Sequence, residues 1–117
     1  MANTDVITSG YGITADKVEQ AVRKIIEVGH PLKVILFGSY VSGKAKAGSD
    51  LDVLVVSDDS IENTRKESVR IRRSLKGILM PIDILVVRER RYNDLKDRPG
   101  LVYQEIAKTG KVVYESR

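Results

Sequence analysis

The sequence contains no cysteine, which excludes disulfides, thiol nucleophiles and thiolate metal sites. Its single histidine, His30, sits beside Pro31. No imidazole cluster can therefore ligate a metal, and a loop position is the simpler account of this residue. No apolar run approaches the roughly 20 residues that cross a bilayer. The start Met-Ala-Asn-Thr-Asp lacks the basic and apolar segments of a signal peptide. A cytoplasmic location without membrane association is the expectation. Aromatic residues make up 5% of the chain and do not interleave with the basic ones, so general nucleic-acid binding on a stacking platform is not expected. Neither a Gly-x-x-x-x-Gly-Lys-Ser/Thr loop nor a Gly-x-Gly-x-x-Gly fingerprint occurs, which removes two common phosphate-binding devices. No internal repeat or low-complexity segment is evident.

What is present fits one compact domain with one modest core. The chain has 117 residues, 42% of them apolar and 31% charged, an ordinary globular balance. Twenty basic residues against 16 acidic ones give a formal charge of +4. That mild excess suits a polyanion, an acidic protein or a nucleotide without choosing among them.

Residues 1 to about 13 read as a polar lead-in to a single domain over 14–117. Thr14 can cap a helix running to Gly29, whose Val18, Ala21, Val22, Ile25 and Ile26 recur at helical spacing as a core-facing stripe. Leu32 to Phe37 has no alternating polar positions, as expected of a strand covered on both faces. Tyr40 to Ser49 reads as a short helical turn followed by a loop, and Leu51 to Val56 as the next strand. A helix is predicted from Ile61 to about Leu75 or Lys76, with Asp58, Asp59 and Glu62 at its positive end. Its cations Arg65, Lys66, Arg70, Arg72, Arg73 and Lys76 read first as solvated surface. A strand over Ile82–Val87, a polar helix over Arg88–Leu95, a short helix around Leu101–Ala107 and a terminal strand at Val112–Tyr114 complete the chain. The fold class is α/β (α+β), a small mixed sheet flanked by helices.

The chemistry gathers in two stretches, Gly38-Ser39-Tyr40-Val41-Ser42-Gly43 and Gly48-Ser49-Asp50-Leu51-Asp52-Val53. In a strand, period two puts Asp50 and Asp52 on one face, their bases roughly 6–7 Å apart. Two neighbouring acids are costly unless a cation lies between them. A third acid, Asp83, interrupts the apolar run Ile82–Val87 and joins them only if its strand lies alongside. Gly38 permits close backbone approach to a phosphate chain, and Ser39 can donate through its hydroxyl and amide. A simpler account makes Asp50 a turn residue, Asp52 an exposed strand start and Asp83 the partner of an arginine. The joint occurrence of these acids in apolar surroundings favours a metal–phosphate site.

Gly38-Ser39, Gly43, Ser49-Asp50-Leu51-Asp52-Val53 and Asp83 resemble the motifs of the DNA-polymerase-beta-like nucleotidyltransferase superfamily. The short chain, and the segment Tyr103 to Glu115, resemble its minimal nucleotidyltransferase branch, which often accompanies HEPN-domain toxins. The resemblance implies nucleotidyl transfer from a nucleoside triphosphate, ATP in the first instance. It implies that Asp50, Asp52 and Asp83 hold magnesium, two ions in all, with Asp83 helping to deprotonate the acceptor hydroxyl. Gly38 and Ser39 would hold the β- and γ-phosphates, and Ser49, Lys44 and Lys46 are further nucleotide-binding candidates. Arg88, Arg90 and Arg91 could also meet phosphates if the direction of the Asp83 strand allows. A chain this short leaves little with which to grip an acceptor, so a partner protein, a HEPN toxin, is the implied acceptor. Neutralisation of a toxin by binding alone, transfer to a small molecule, and a homodimer all stay open.

Overall fold

The computed structural model describes residues 12–116, so most of the expected lead-in over residues 1–13 lies outside the described residues. Thr14 caps the first helix, α1 (Ala15–Gly29), accepting the Lys17 amide on its hydroxyl. The stripe read from the sequence is the buried one: Val18, Ala21 and Ile25 are buried, and Val22 and Ile26 pack at the margin of the core. His30, not Gly29, takes the left-handed position that ends the helix, at φ 45°. Gly29 stays helical, and a Cβ there would lie 3.1 Å from Cδ1 of Ile71, so its missing side chain lets a second helix approach.

Strand β1 (Lys33–Phe37) leads into a single-turn helix α2 (Ser39–Ser42), then a loop and strand β2 (Leu51–Ser57). Helix α3 (Thr64–Ser74) carries the chain back to strand β3 (Ile82–Arg88). Helices α4 (Glu89–Leu95) and α5 (Val102–Thr109) precede the last strand, β4 (Lys111–Glu115). The sheet order is β3-β2-β1-β4, with β1 antiparallel to both β2 and β4 and β2 parallel to β3. The sheet is therefore mixed, as expected.

Alternation divides the strands between two cores. Val34, Leu36, Leu51, Val53, Val55, Ile84 and Val86 face one way and pack with α1 and Ile71 of α3. Ile35, Leu54, Val56 and Val87 face the other way, beneath Tyr92 of α4 and Ile106 of α5. Both faces of β1 and β2 are thus covered, which explains their near-continuous apolar sequences.

Helix α3 begins three residues later than the sequence predicts, because Asn63 is its cap, accepting the Lys66 amide at 2.9 Å. Asp58 and Asp59 therefore serve elsewhere. Asp58 accepts the Ser60 amide in a tight turn, and hydrogen bonding from the Ser60 side chain, then from that amide, holds its carboxyl below the usual range. Asp59 accepts the Arg90 amide in the first turn of α4, so it does cap a helix, though a different one. Arg88 ties the same loop down, donating to the carbonyls of Ile61 and Glu62 at 2.6 Å each. Glu67, nearly buried, takes both ends of the Arg70 guanidinium, and Arg70 also donates to the Val28 carbonyl. That clamp joins α3 to α1.

Ser57, 2% exposed, has a buried hydroxyl with no hydrogen-bond partner among the described residues. An unmade bond of this kind costs about 1–3 kcal/mol of desolvation. Ser57→Ala is accordingly expected to leave stability unchanged or raise it by about 1 kcal/mol, as read from urea unfolding midpoints. A clear loss would show that the hydroxyl is satisfied in solution.

Candidate active site

The register of the sheet decides which acids meet. Asp52 stands directly opposite Asp83 on the adjacent parallel strand, and Phe37 directly opposite Asp52 on the other side. In-register residues on neighbouring strands have backbones about 4.8 Å apart and side chains on the same face. Asp52 and Asp83 therefore emerge side by side. They share the face of Leu54, Val56 and Val87 but lie at its far end. Asp50 immediately precedes β2 instead of opening it, yet it is near enough to act on Asp52.

The electrostatics record the crowding. Burial pushes the Asp52 carboxyl above its ordinary range, and the charges of Asp83 and Asp50 raise it further. No ion pair among the described residues involves any of the three acids. The simpler account, in which Asp83 pairs with an arginine, therefore finds no support. Among the described residues no three acidic or histidine side chains converge as a ready-made metal cage.

Gly38 follows Phe37 at the end of β1 and is drawn against Asp52 by that register. Its φ of 82° and ψ of −156° belong to a region that only glycine occupies at little cost. A Cβ at this position would lie 2.2 Å from Oδ2 of Asp52. Glycine is thus required twice, by the backbone and by the neighbouring carboxylate. The sequence pointed to Gly38 through its turn, but the contact with Asp52 depends on the pairing of β1 with β2.

Ser39 starts α2 and is half-buried, and its carbonyl accepts the Lys44 amide at 2.9 Å. Ser49 and Lys46 close the loop reciprocally: the Ser49 hydroxyl accepts the Lys46 amide at 2.8 Å, and the Ser49 amide donates to the Lys46 carbonyl at 2.9 Å. Lys44 and Lys46 are exposed. Tyr40 packs against the first core, with α1, on the opposite side of the sheet from Asp52.

The arginines that follow β3 are not part of this site. Asp83 lies at the start of β3 and Arg88 at its end, so roughly 16 Å of strand separates them. A shallow cavity of about 470 Å³ lined by Asp59, Arg88, Arg90, Arg91 and Asp94 lies at that opposite end. Strand direction thus carries Arg88, Arg90 and Arg91 away from the carboxylates.

The fold that carries this arrangement recurs in known proteins. Residues 19–117 match the family described as polymerase beta, nucleotidyltransferase. The chain belongs to this nucleotidyltransferase family. Its fold is similar to that of a candidate nucleotidyltransferase from Sulfolobus solfataricus solved at 1.40 Å, with a TM-score of 0.54 and 19% identity. That alignment covers 90% of this chain and 92% of the other. A toxin–antitoxin protein solved with AMP-PNP is similar at a TM-score of 0.53 and 20% identity, over 90% of this chain and 76% of the other. No curated protein matches significantly. For the nucleotidyltransferase fold the sheet geometry has a plain consequence: β2 and β3, contiguous and parallel, deliver their acids to one end of the sheet. Among the described residues, no helix is long and apolar enough to cross a membrane.

Proposed function

We propose that this protein is a magnesium-dependent nucleotidyltransferase that moves AMP from ATP to a hydroxyl of a partner protein, a HEPN-type toxin, and thereby acts as its antitoxin. The observation that carries the reading is the in-register pair Asp52 and Asp83, with Asp52 packed on Gly38. The toxin–antitoxin relative solved with AMP-PNP supports the choice of an adenine nucleotide and of a toxin as partner.

The donor set fits magnesium. Asp50, Asp52 and Asp83 offer only carboxylate oxygens, the ligands a hard cation takes. Asp52 resists ionisation in the crowded site, and a cation relieves that resistance. Bound there, the metal would supply charge neutralisation for the triphosphate and the developing pyrophosphate.

The chain's own residues do the rest. Gly38 leaves room for the triphosphate to approach the backbone, and Ser39 offers donors to the β- and γ-phosphates. Lys44, Lys46 and Ser49 border the approach from the loop before β2. Asp83 takes the proton of the acceptor hydroxyl. The acceptor oxygen bonds to the α-phosphorus as the bond to the β-phosphate bridging oxygen breaks, and pyrophosphate leaves with that oxygen. Positioning the two reactants in line supplies much of the acceleration.

The test uses the purified full chain with magnesium and α-labelled ATP, with and without a purified HEPN-domain protein as the candidate acceptor. Label is expected on the partner, and none with Asp50→Asn/Asp52→Asn. A tight complex that relieves toxicity, carries no label and is indifferent to the double substitution would establish antitoxin action by binding alone.

A further inference from the structure

The outward face of α3 is organised for something other than solvation. Arg65, Lys66, Val69, Arg72, Arg73 and, just past the helix, Lys76 recur at spacings of three and four and so share one side. All are exposed, Val69 to 44%. None of the five cations takes part in an ion pair among the described residues. Arg70, on the flank, is by contrast satisfied by Glu67. The whole chain has a formal excess of only +4, so this one face more than accounts for it. Like charges at such spacings destabilise a helix, a cost that an anionic partner removes.

Two shallow depressions, of about 680 and 520 Å³, meet at Val69 and Arg73. An exposed aliphatic side chain ringed by cations has the form of an interface centre with a charged rim. We propose that this face docks an acidic helical segment of a partner protein, with an apolar side chain of that segment on Val69 and its carboxylates on the surrounding cations. Arginine forks grip carboxylates in two-point fashion, which suits Arg72 and Arg73 to the rim. A nucleic-acid backbone has no use for the central valine, and the face presents no aromatic ring to a base.

The position of the face adds to its meaning. Helix α3 returns the chain from the end of β2 to the start of β3, so Arg72, Arg73 and Lys76 lie toward the end of the sheet where Asp83 begins the edge strand. Helix α3 packs on the first core, on the side of the sheet away from the face that carries Asp52 and Asp83, so a protein docked on its outward side leaves the carboxylates uncovered. The proposal rests on the reading of a protein acceptor, but docking can be measured without nucleotide.

The probe is a fluorescein-labelled 18-residue helical peptide with leucine at spacings of three and four and glutamate elsewhere. It is compared with the same peptide carrying serine for leucine, and with a 20-nucleotide single-stranded RNA. Anisotropy with the full chain is expected to show binding of the leucine peptide, weakened at least about tenfold by Arg72→Glu/Arg73→Glu and about three- to fivefold by Val69→Asn. The milder Arg72→Gln/Arg73→Gln is expected to fall between wild type and the charge reversal, and circular dichroism checks that each variant is folded. Asp52→Asn is expected to bind the peptide as wild type does, so loss of transfer and loss of docking separate cleanly. Equal affinities for wild type and the charge reversals, no binding at all, or indifference to both the leucines and Val69 would overturn the proposal. RNA bound more tightly than the leucine peptide would replace it with a phosphate-binding face.

Discussion

Asp52→Asn is expected to lower nucleotidyl transfer roughly a thousandfold while leaving the protein at least as stable as the wild type at neutral pH. Under the proposed function the activity loss follows from removing the carboxylate that feels both Asp83 and Asp50, a group that would contribute several kcal/mol of charge stabilisation there. The stability result follows from the raised pKa of the same group. Burial, then Asp83, then Asp50 push the Asp52 carboxyl above 3.8. A carboxyl that is harder to ionise in the folded chain than in the unfolded one stabilises the fold below its unfolded value. That contribution disappears as the pH rises through the folded value, so at neutral pH the charged group works against the fold. Asparagine removes the charge with little change of shape. Thermal unfolding between pH 4 and pH 8 is expected to show a flatter profile for the variant. Magnesium is expected to raise the unfolding temperature of the wild type and to have much less effect on Asp52→Asn. A variant that melts well below the wild type at neutral pH would show that the carboxylate is a structural prop, and would remove the frustrated-acid argument for a cation.

Gly38→Ala carries the second large effect. The backbone at Gly38 lies where non-glycine residues pay about 1–3 kcal/mol, and the added Cβ would fall 2.2 Å from Oδ2 of Asp52. The carboxylate or the turn must move, and a displacement of about 1 Å at a reacting centre costs about a hundredfold. Transfer is expected to fall by about that factor, together with a loss of roughly 2–3 kcal/mol in stability. Gly43 supplies the control. It also has positive φ, at 80°, but a Cβ there meets nothing within 4 Å. Gly43→Ala should cost only backbone strain, about 1 kcal/mol, and leave transfer within a few-fold of wild type. A double-mutant cycle sharpens the comparison: with Asp52→Ala in place the collision with the carboxylate is removed and only its Cβ, at 3.3 Å, stays close, so Gly38→Ala should cost less than in the wild type. Equal costs in both backgrounds would show that the contact with Asp52 is irrelevant and that backbone strain alone makes Gly38 necessary.

Much of this architecture is written locally. Thr14 and the stripe from Val18 to Ile26 specify α1 because a capping hydroxyl and a 3.6-residue period are properties of a short segment. The unbroken apolar sequences of β1 and β2 announced strands covered on both faces. Where the local rules competed, the sequence was ambiguous. Asp58, Asp59 and Asn63 can each start a helix, and only the packed loop shows that Asn63 caps α3 while Asp59 serves α4. Arg88 could point to a phosphate or to a carbonyl, and strand direction sends it to Ile61 and Glu62.

The candidate site divides along the same line. The residue types, a Gly-Ser turn, the Asp50 and Asp52 doublet and the isolated Asp83, were legible because a carboxylate in an apolar strand stands out against its neighbours. What the sequence by itself determined is therefore the chemistry available and the strands that carry it. Only the tertiary structure decided that β3 lies parallel to β2 in the register that sets Asp83 against Asp52, and that β1 lies antiparallel in the register that sets Gly38 against the same carboxylate. The physical reason is that strand register is fixed by long-range pairing and burial, and a slip of one residue turns every side chain to the other face.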